Sequence, residues 1–335
     1  MSQQQELKTE RSLKGLDEAV LLMAHGSRDA EGAAEFLAFA RRLAMLLAQP
    51  IYPGFLELAE PSIAVAITQA VDAGARTIIA VPWLLLGAGH VKNDLPAAIH
   101  WARDRFPGVQ FRYGTPIGVQ PELLAVLGDR LAAIDPDGGC GSPETALLLV
   151  ERGSSDPQAN ADVYRVARLL WEDRNFGTAE VAFVGITRPS VPEGLERCVA
   201  LGARRVLVLP YFLYTGVLLK RIATFVAAAA ALHPAVEFRV AQHLGQDTRL
   251  ETLALRLIEQ ARTGQATMTC DVCQYRVPLF GREARVGMPP WSDHAHGLRG
   301  TTTGNHTATD TFPAHTHGHD SPMHCHCISH DHGQQ

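Results

Sequence analysis

Asp72-Ala-Gly-Ala-Arg76, an isoleucine-rich run and Pro82-Trp-Leu-Leu85 return 128 residues later as Ala200-Leu-Gly-Ala-Arg204, a valine and leucine run and Pro210-Tyr-Phe-Leu213. At the same offset, Gly54-Phe-Leu-Glu-Leu-Ala-Glu-Pro-Ser-Ile63 matches Ala182-Phe-Val-Gly-Ile-Thr-Arg-Pro-Ser-Val191. Nearer the start, Leu21-Leu-Met-Ala-His-Gly-Ser-Arg-Asp29 matches Leu148-Leu-Val-Glu-Arg-Gly-Ser-Ser-Asp156, one residue out of step. The chain is an approximate duplicate of itself. Within each copy, short β-branched or leucine-rich runs alternate with longer amphipathic stretches rich in Ala, Leu and Arg, the pattern of β-α-β units around a parallel sheet.

That pattern predicts strands near 19–24, 51–56, 77–82 and 109–113 and helices near 31–48, 61–73, 92–105 and 121–134 in the first copy. In the second it predicts strands near 145–150, 180–185, 205–210 and 236–241 and helices near 158–173, 190–200, 217–232 and 247–262. The expected architecture is α/β, with two domains of one four-stranded parallel sheet each, over 18–134 and 144–262. The Pro- and Gly-rich stretch 135–143 reads as their linker. From 263 to 335 the composition turns to Thr, His, Gly, Pro and Asp. A tract of that kind buries too little apolar surface to offset its ordering entropy, so much of 288–335 is expected to be disordered without metal.

With 335 residues, 46% of them hydrophobic, the chain can form two domains with sizeable cores. Its net charge of −5 offers no broad basic surface for nucleic acid. No apolar run is long enough to span a membrane and the polar start Met1–Glu18 lacks a secretory core, so the expected location is cytoplasmic. Six cysteines, among them the close pairs Cys270/Cys273 and Cys325/Cys327, suit metal better than a disulfide framework. Ten of the 15 histidines follow residue 290.

Laying one copy on the other separates scaffold from cargo. His25 faces Arg152, Glu57 faces Gly185 and His90 faces Leu218, while the surrounding glycines, prolines and apolar runs are retained. A backbone pattern that survives loss of these three side chains does not need them for folding, so they are the candidate site. His25 directly follows the first predicted strand, Glu57 falls at the end of the second and His90 lies in the Gly87-Ala-Gly-His90 loop after the third, where the loops of an open parallel sheet gather at one edge. Two imidazoles and a carboxylate suit a borderline divalent ion such as Co²⁺, Ni²⁺, Fe²⁺ or Zn²⁺, and a histidine can also accept a proton at cellular pH. Ser27 either caps the following helix or offers its hydroxyl to an anionic ligand, and Glu60, the rival carboxylate, suits the start of the helix beyond Pro61. Arg28, Lys92, Arg152, Lys220 and Arg221 are candidate partners for substrate carboxylates if the two domains face each other.

Ala24-His-Gly-Ser-Arg28, Phe55-Leu-Glu-Leu-Ala-Glu-Pro-Ser62, Pro82-Trp-Leu-Leu-Leu-Gly-Ala-Gly-His-Val91 and Met268-Thr-Cys-Asp-Val-Cys273 together resemble the long-form sirohydrochlorin cobaltochelatases, class II chelatases of anaerobic cobalamin biosynthesis. The resemblance runs from about residue 18 to the His-rich end. It implies two chelatase-like, flavodoxin-like domains around a tetrapyrrole and ATP-independent insertion of Co²⁺ into sirohydrochlorin. His25 and His90 would then act at the metal and the pyrrole nitrogens, assisted by Glu57, with one active site per chain. The family's Met-x-Cys-x-x-Cys motif is associated with an iron–sulfur centre, which carries over to Cys270 and Cys273.

A lone CxxC also suits zinc or redox chemistry. A [4Fe-4S] cluster needs two more thiolates, and Cys325 and Cys327 are the other close pair, reached if the tail folds back or if two chains share a cluster as a homodimer. His294, His296, His306, His315, His317, His319, His324, His326, His330 and His332 read as a metal store or delivery arm, against a solvated spacer. The rival activities are ferrochelation or nickel insertion with the same three residues. A rival of another class is a non-catalytic metal-binding or metallochaperone protein.

Overall fold

The apolar run after Glu18 forms strand β1 (Glu18–Ala24), in which every later residue is buried. A strand hides both faces only at the centre of a parallel sheet covered on both sides. Accordingly β1 lies between β2 (Ile51–Phe55) and β3 (Thr77–Pro82), with β4 (Gln110–Tyr113) beyond β3. All pairings are parallel, Val20 standing beside Ile51 and Ile79. The second copy repeats the arrangement, with β5 (Thr145–Glu151) between β6 (Thr178–Phe183) and β7 (Arg205–Pro210), and β8 (Glu237–Val240) outermost. The computed structural model describes residues 17–138, 140–172 and 174–267, together with Cys273, Ala284 and Val286. Cys270, Cys325, Cys327 and the ten histidines after residue 290 lie outside the described residues. Among the described residues, no helix is long and apolar enough to cross a membrane.

Helices α1 (Ala30–Leu47), α2 (Ile63–Asp72), α3 (Leu95–Arg105) and α4 (Pro121–Ala132) belong to the first copy; α5 (Pro157–Trp171), α6 (Val191–Ala200), α7 (Val217–Leu232) and α8 (Thr248–Arg262) belong to the second. Their starts repeat as well. Asp29 and Asp156 cap α1 and α5 with their carboxylates, and Ser62 and Ser190 cap α2 and α6 with their hydroxyls. Strand and helix also fit alike by a reciprocal choice of small residues. A side chain at Gly54 would stand 3.3 Å from the Ala66 Cβ. In the second copy the partners trade places, and a side chain at Gly194 would stand 2.7 Å from the Ala182 Cβ. A second methyl group would crowd each contact, more tightly in the second copy.

The last helix of each copy lies on the other copy's sheet. Helix α8 packs on β3, β4 and α1, and α4 packs on β7 and α5. Arg42 of α1 donates to Glu251 of α8 at 2.6 Å, Arg262 to Glu18 at 2.8 Å, and Arg130 of α4 to the carbonyls of His243 and Leu244. Where the two exchanged helices meet, Arg256 donates to both carboxylate oxygens of Glu122. Buried Leu250, Leu253, Leu257 and Ile258 thereby join Val20, Leu22, Ile79 and Val81 of the first sheet and Leu147, Leu149, Leu207 and Leu209 of the second in one apolar cluster. The outer faces keep separate cores under α2 and α3 and under α6 and α7.

Leu257→Ala, a buried large-to-small change, should cost about 2–5 kcal/mol. Amide hydrogen exchange should then quicken in Thr77–Pro82 and Gln110–Tyr113 before Arg205–Pro210, although the helix follows β8 in the chain. Earlier loss of protection in the second sheet would place α8 on its own copy.

Candidate active site

In the order β2-β1-β3-β4 the chain leaves β1 toward one side of the sheet and returns on the other, so the loops after β1 and β3 part and open a crevice at the carboxyl ends of the strands. His25, Glu57 and His90 all reach it. Glu57 donates its backbone N–H to the His25 carbonyl at 3.0 Å. The loops approach so closely that a Cβ at Gly26, where φ is +99°, would stand 1.8 Å from the Glu57 carbonyl oxygen. Only glycine permits that approach.

His90 opens a single π-helical turn, His90–Asp94, that runs into α3. The turn is held from the neighbouring strand by Tyr113, whose hydroxyl donates to the Val91 carbonyl at 2.9 Å; burial pushes that hydroxyl's pKa up, so it stays a donor. Asp94 is thereby buried beside His90, with its side chain 4% exposed and Oδ2 2.6 Å from His90 Nδ1. Its Oδ1 is buried and has no hydrogen-bond partner among the described residues. A carboxylate on Nδ1 holds the ring proton there and leaves Nε2 as a lone pair, the support commonly given to metal-binding histidines. His25 is held in the same tautomer, since its Nδ1 lies 3.2 Å from the Gly26 carbonyl, which can only accept.

The His25 and His90 rings meet edge to face, centroids 4.8 Å apart, and His25 Nε2 lies 3.4 Å from Glu57 Oε1. Among the described residues these three form the one group of three or more His, Cys, Asp or Glu side chains able to share an ion, with donor atoms within 4.8 Å of one another. Ligands about 2.1 Å from a common ion stand roughly 3.0–3.4 Å apart. Small side-chain rotations would close the site on a divalent ion while leaving other positions open.

The second copy lines the opposite side. Arg152, the counterpart of His25, donates from Nη1 to His25 Nε2 at 2.9 Å. Lys92 does not stand as an open cation, because its ammonium is buried against Asp156 Oδ2 at 2.7 Å and Gln158 Oε1 at 2.9 Å. Lys220 makes the reciprocal contact, 2.7 Å to Asp29 Oδ2, and holds the Asp29 carboxyl below its usual range. Each lysine thus clasps the capping aspartate of the other copy. Arg28 and Arg221 are exposed. Ser27 accepts from the Asp29 N–H at 3.0 Å, but the cap of α1 is Asp29. Glu60 accepts from the Ser62 N–H at 2.8 Å, at the entry to α2.

Asp94 was not among the residues singled out from sequence, although the same overlay exposes it. Its counterpart is Ile222, fully buried, so a carboxylate stands where packing alone asks for an aliphatic side chain. Of the cysteine motif only Cys273 is described, a buried free thiol.

The two lysine clasps differ in burial, with side-chain exposures of 6% and 1% for Lys92 and Asp156 against 64% and 8% for Lys220 and Asp29. Lys92→Ala strands a buried carboxylate and should lower unfolding stability by about 3–5 kcal/mol in denaturant titration. Lys220→Ala, at an exposed ammonium, should shift the midpoint far less. Equal shifts would refute this ranking.

The CbiX family profile matches residues 19–134 and again 146–261. The chain is 40% identical over 265 residues to the sirohydrochlorin cobaltochelatase of Priestia megaterium, which covers 78% of this chain and 86% of that relative. It is 32% identical over 222 residues to the sirohydrochlorin ferrochelatase of Bacillus subtilis (strain 168), covering 66% of this chain and 84% of the relative. The solved structure of SirB from Bacillus subtilis with Fe³⁺ superposes with a TM-score of 0.64 at 29% identity, covering 76% of this chain and 100% of that one. A profile that fits both copies, each with its own four-stranded sheet, makes this chain a member of the CbiX family, carrying two repeats of the fold.

Proposed function

We propose that the chain inserts Co²⁺ into sirohydrochlorin without ATP, as a step of anaerobic cobalamin biosynthesis, at one active site per chain. The observation that carries this reading is the convergence of His25, Glu57 and His90 on one strand-end crevice whose far side is lined by the second copy. Replacement of all three residues in that second copy supports a single site. Cobalt is chosen because the Priestia megaterium cobaltochelatase is 40% identical over 265 residues. The ferrochelatase relatives support iron as the second reading.

Metallation replaces two pyrrole N–H protons with an ion. The residues must therefore hold a partly dehydrated cation on one face of the ring and take up protons as they leave. His25 and His90 present their Nε2 lone pairs to the ion and receive pyrrole protons as the ion passes into the ring, while Glu57 balances charge beside His25. Substrate carboxylates would pair with cations on the rim, where Arg28 and Arg221 are exposed. Insertion changes no oxidation state, so no step is assigned to an iron–sulfur cluster at Cys270, Cys273, Cys325 and Cys327. The His-rich segment would serve as a metal store or delivery arm.

The direct test is anaerobic incubation of the purified chain with sirohydrochlorin and, separately, Co²⁺, Fe²⁺ and Ni²⁺, following the visible spectrum of the macrocycle. Accelerated insertion with cobalt preferred is expected, and His25→Ala should abolish it while circular dichroism stays unchanged. No acceleration with any ion by a folded chain that binds metal would instead favour the storage protein. Asp94→Asn keeps the shape of the support but lets the amide present either a donor or an acceptor to His90. It should lower kcat/KM by about 10–100-fold in a folded protein. A change of less than about twofold would remove Asp94 from the machinery.

A further inference from the structure

We propose that Arg152 is a built-in competitor for the metal, holding the His25 lone pair until a carboxylate of the tetrapyrrole draws it away. This rests on the proposed chelatase reading and adds an order of events to it. With the ring proton of His25 committed to the Gly26 carbonyl, Nε2 carries the single lone pair that the ring can offer an ion. Arg152 Nη1 stands 2.9 Å from that nitrogen and donates to it. One lone pair cannot serve an N–H and a metal ion at once. The guanidinium is also permanently charged, so while it remains it repels a divalent ion from a site whose carboxylate, Glu57 Oε1, is 3.4 Å from the same nitrogen. Both effects disfavour metal.

The competitor is anchored at its base and reaches across from the other copy. Gly153, beside it, adopts φ +88° and donates its N–H to Glu151 Oε2 at 2.6 Å, fixing the turn from which Arg152 extends. A carboxylate offers a guanidinium two parallel, charge-assisted hydrogen bonds, against one bond to a neutral imidazole. An acidic tetrapyrrole entering the crevice can therefore draw Arg152 off His25 and neutralise its charge. Ion affinity then rises when a ring is present to receive the ion.

The test is anaerobic calorimetric titration of the full chain with Co²⁺ alone, using His25→Ala as the blank for every other metal site. His25-dependent Co²⁺ binding should be about tenfold tighter in Arg152→Ala than in the unsubstituted chain. A merely structural role for Arg152 would not tighten binding. In chelation assays the same variant should show a lower KM for Co²⁺ and a higher KM for sirohydrochlorin, because it loses a competitor and a carboxylate partner together. Unchanged or weaker His25-dependent binding in Arg152→Ala, or none in either protein, overturns the proposal. Should the unsubstituted chain fail to accelerate insertion, the chelatase reading falls while the titration still decides the competition.

Discussion

Burial of the inner faces of the two sheets is the constraint on which the rest depends, because neither copy can achieve it alone. Helix α8 ends the second copy and lies on the first sheet, while α4 ends the first copy and covers part of the second. One apolar cluster runs through both sheets as a result. The strand-end edges of the copies are thereby held face to face, and the loops after β1, β3, β5 and β7 meet there. Trp83 donating to the Tyr214 hydroxyl at 2.8 Å, Lys92 on Asp156 and Lys220 on Asp29 all lie along that seam. The site inherits its second wall from this packing.

Along the seam, shared residues and divergent residues have different jobs. The lysine and aspartate pairs occur in both copies and tie them together. His25, Glu57, His90 and Asp94 occur in one copy and are replaced by Arg152, Gly185, Leu218 and Ile222 in the other. The π-helical turn follows the same division, since the second copy enters α7 as a regular helix at Val217. Divergence has gathered imidazoles and carboxylates on one side and placed a guanidinium on the other.

Most of the architecture was legible because buried parallel strands write themselves as unbroken apolar runs, as in Ala19–Ala24 and Ala146–Val150, whereas the cap of α1 is Asp29 and not the Ser27 expected from sequence. The triad was legible from disagreement between the copies. The same comparison, carried further, marks Lys92 and Lys220 as retained together with the aspartates they clasp. It also marks Asp94 against Ile222. The exchange of α4 and α8 left no local trace, since an amphipathic pattern reveals that a helix has a buried face but not which sheet covers it. The widened turn at His90 was equally silent, because its support comes from Tyr113 on another strand.

The contact between His25 and Arg152 carries a consequence of symmetry. The two residues occupy matching positions in the copies and touch each other, which places them beside the approximate two-fold axis relating the lobes. In a homodimer of single-copy chains, identical residues would have to meet at that axis. An imidazole there would face an imidazole, and the two halves would present identical side chains to each other. A donor cation opposite an acceptor imidazole requires the two halves to differ, and covalent duplication in one chain guarantees that unlike halves always meet.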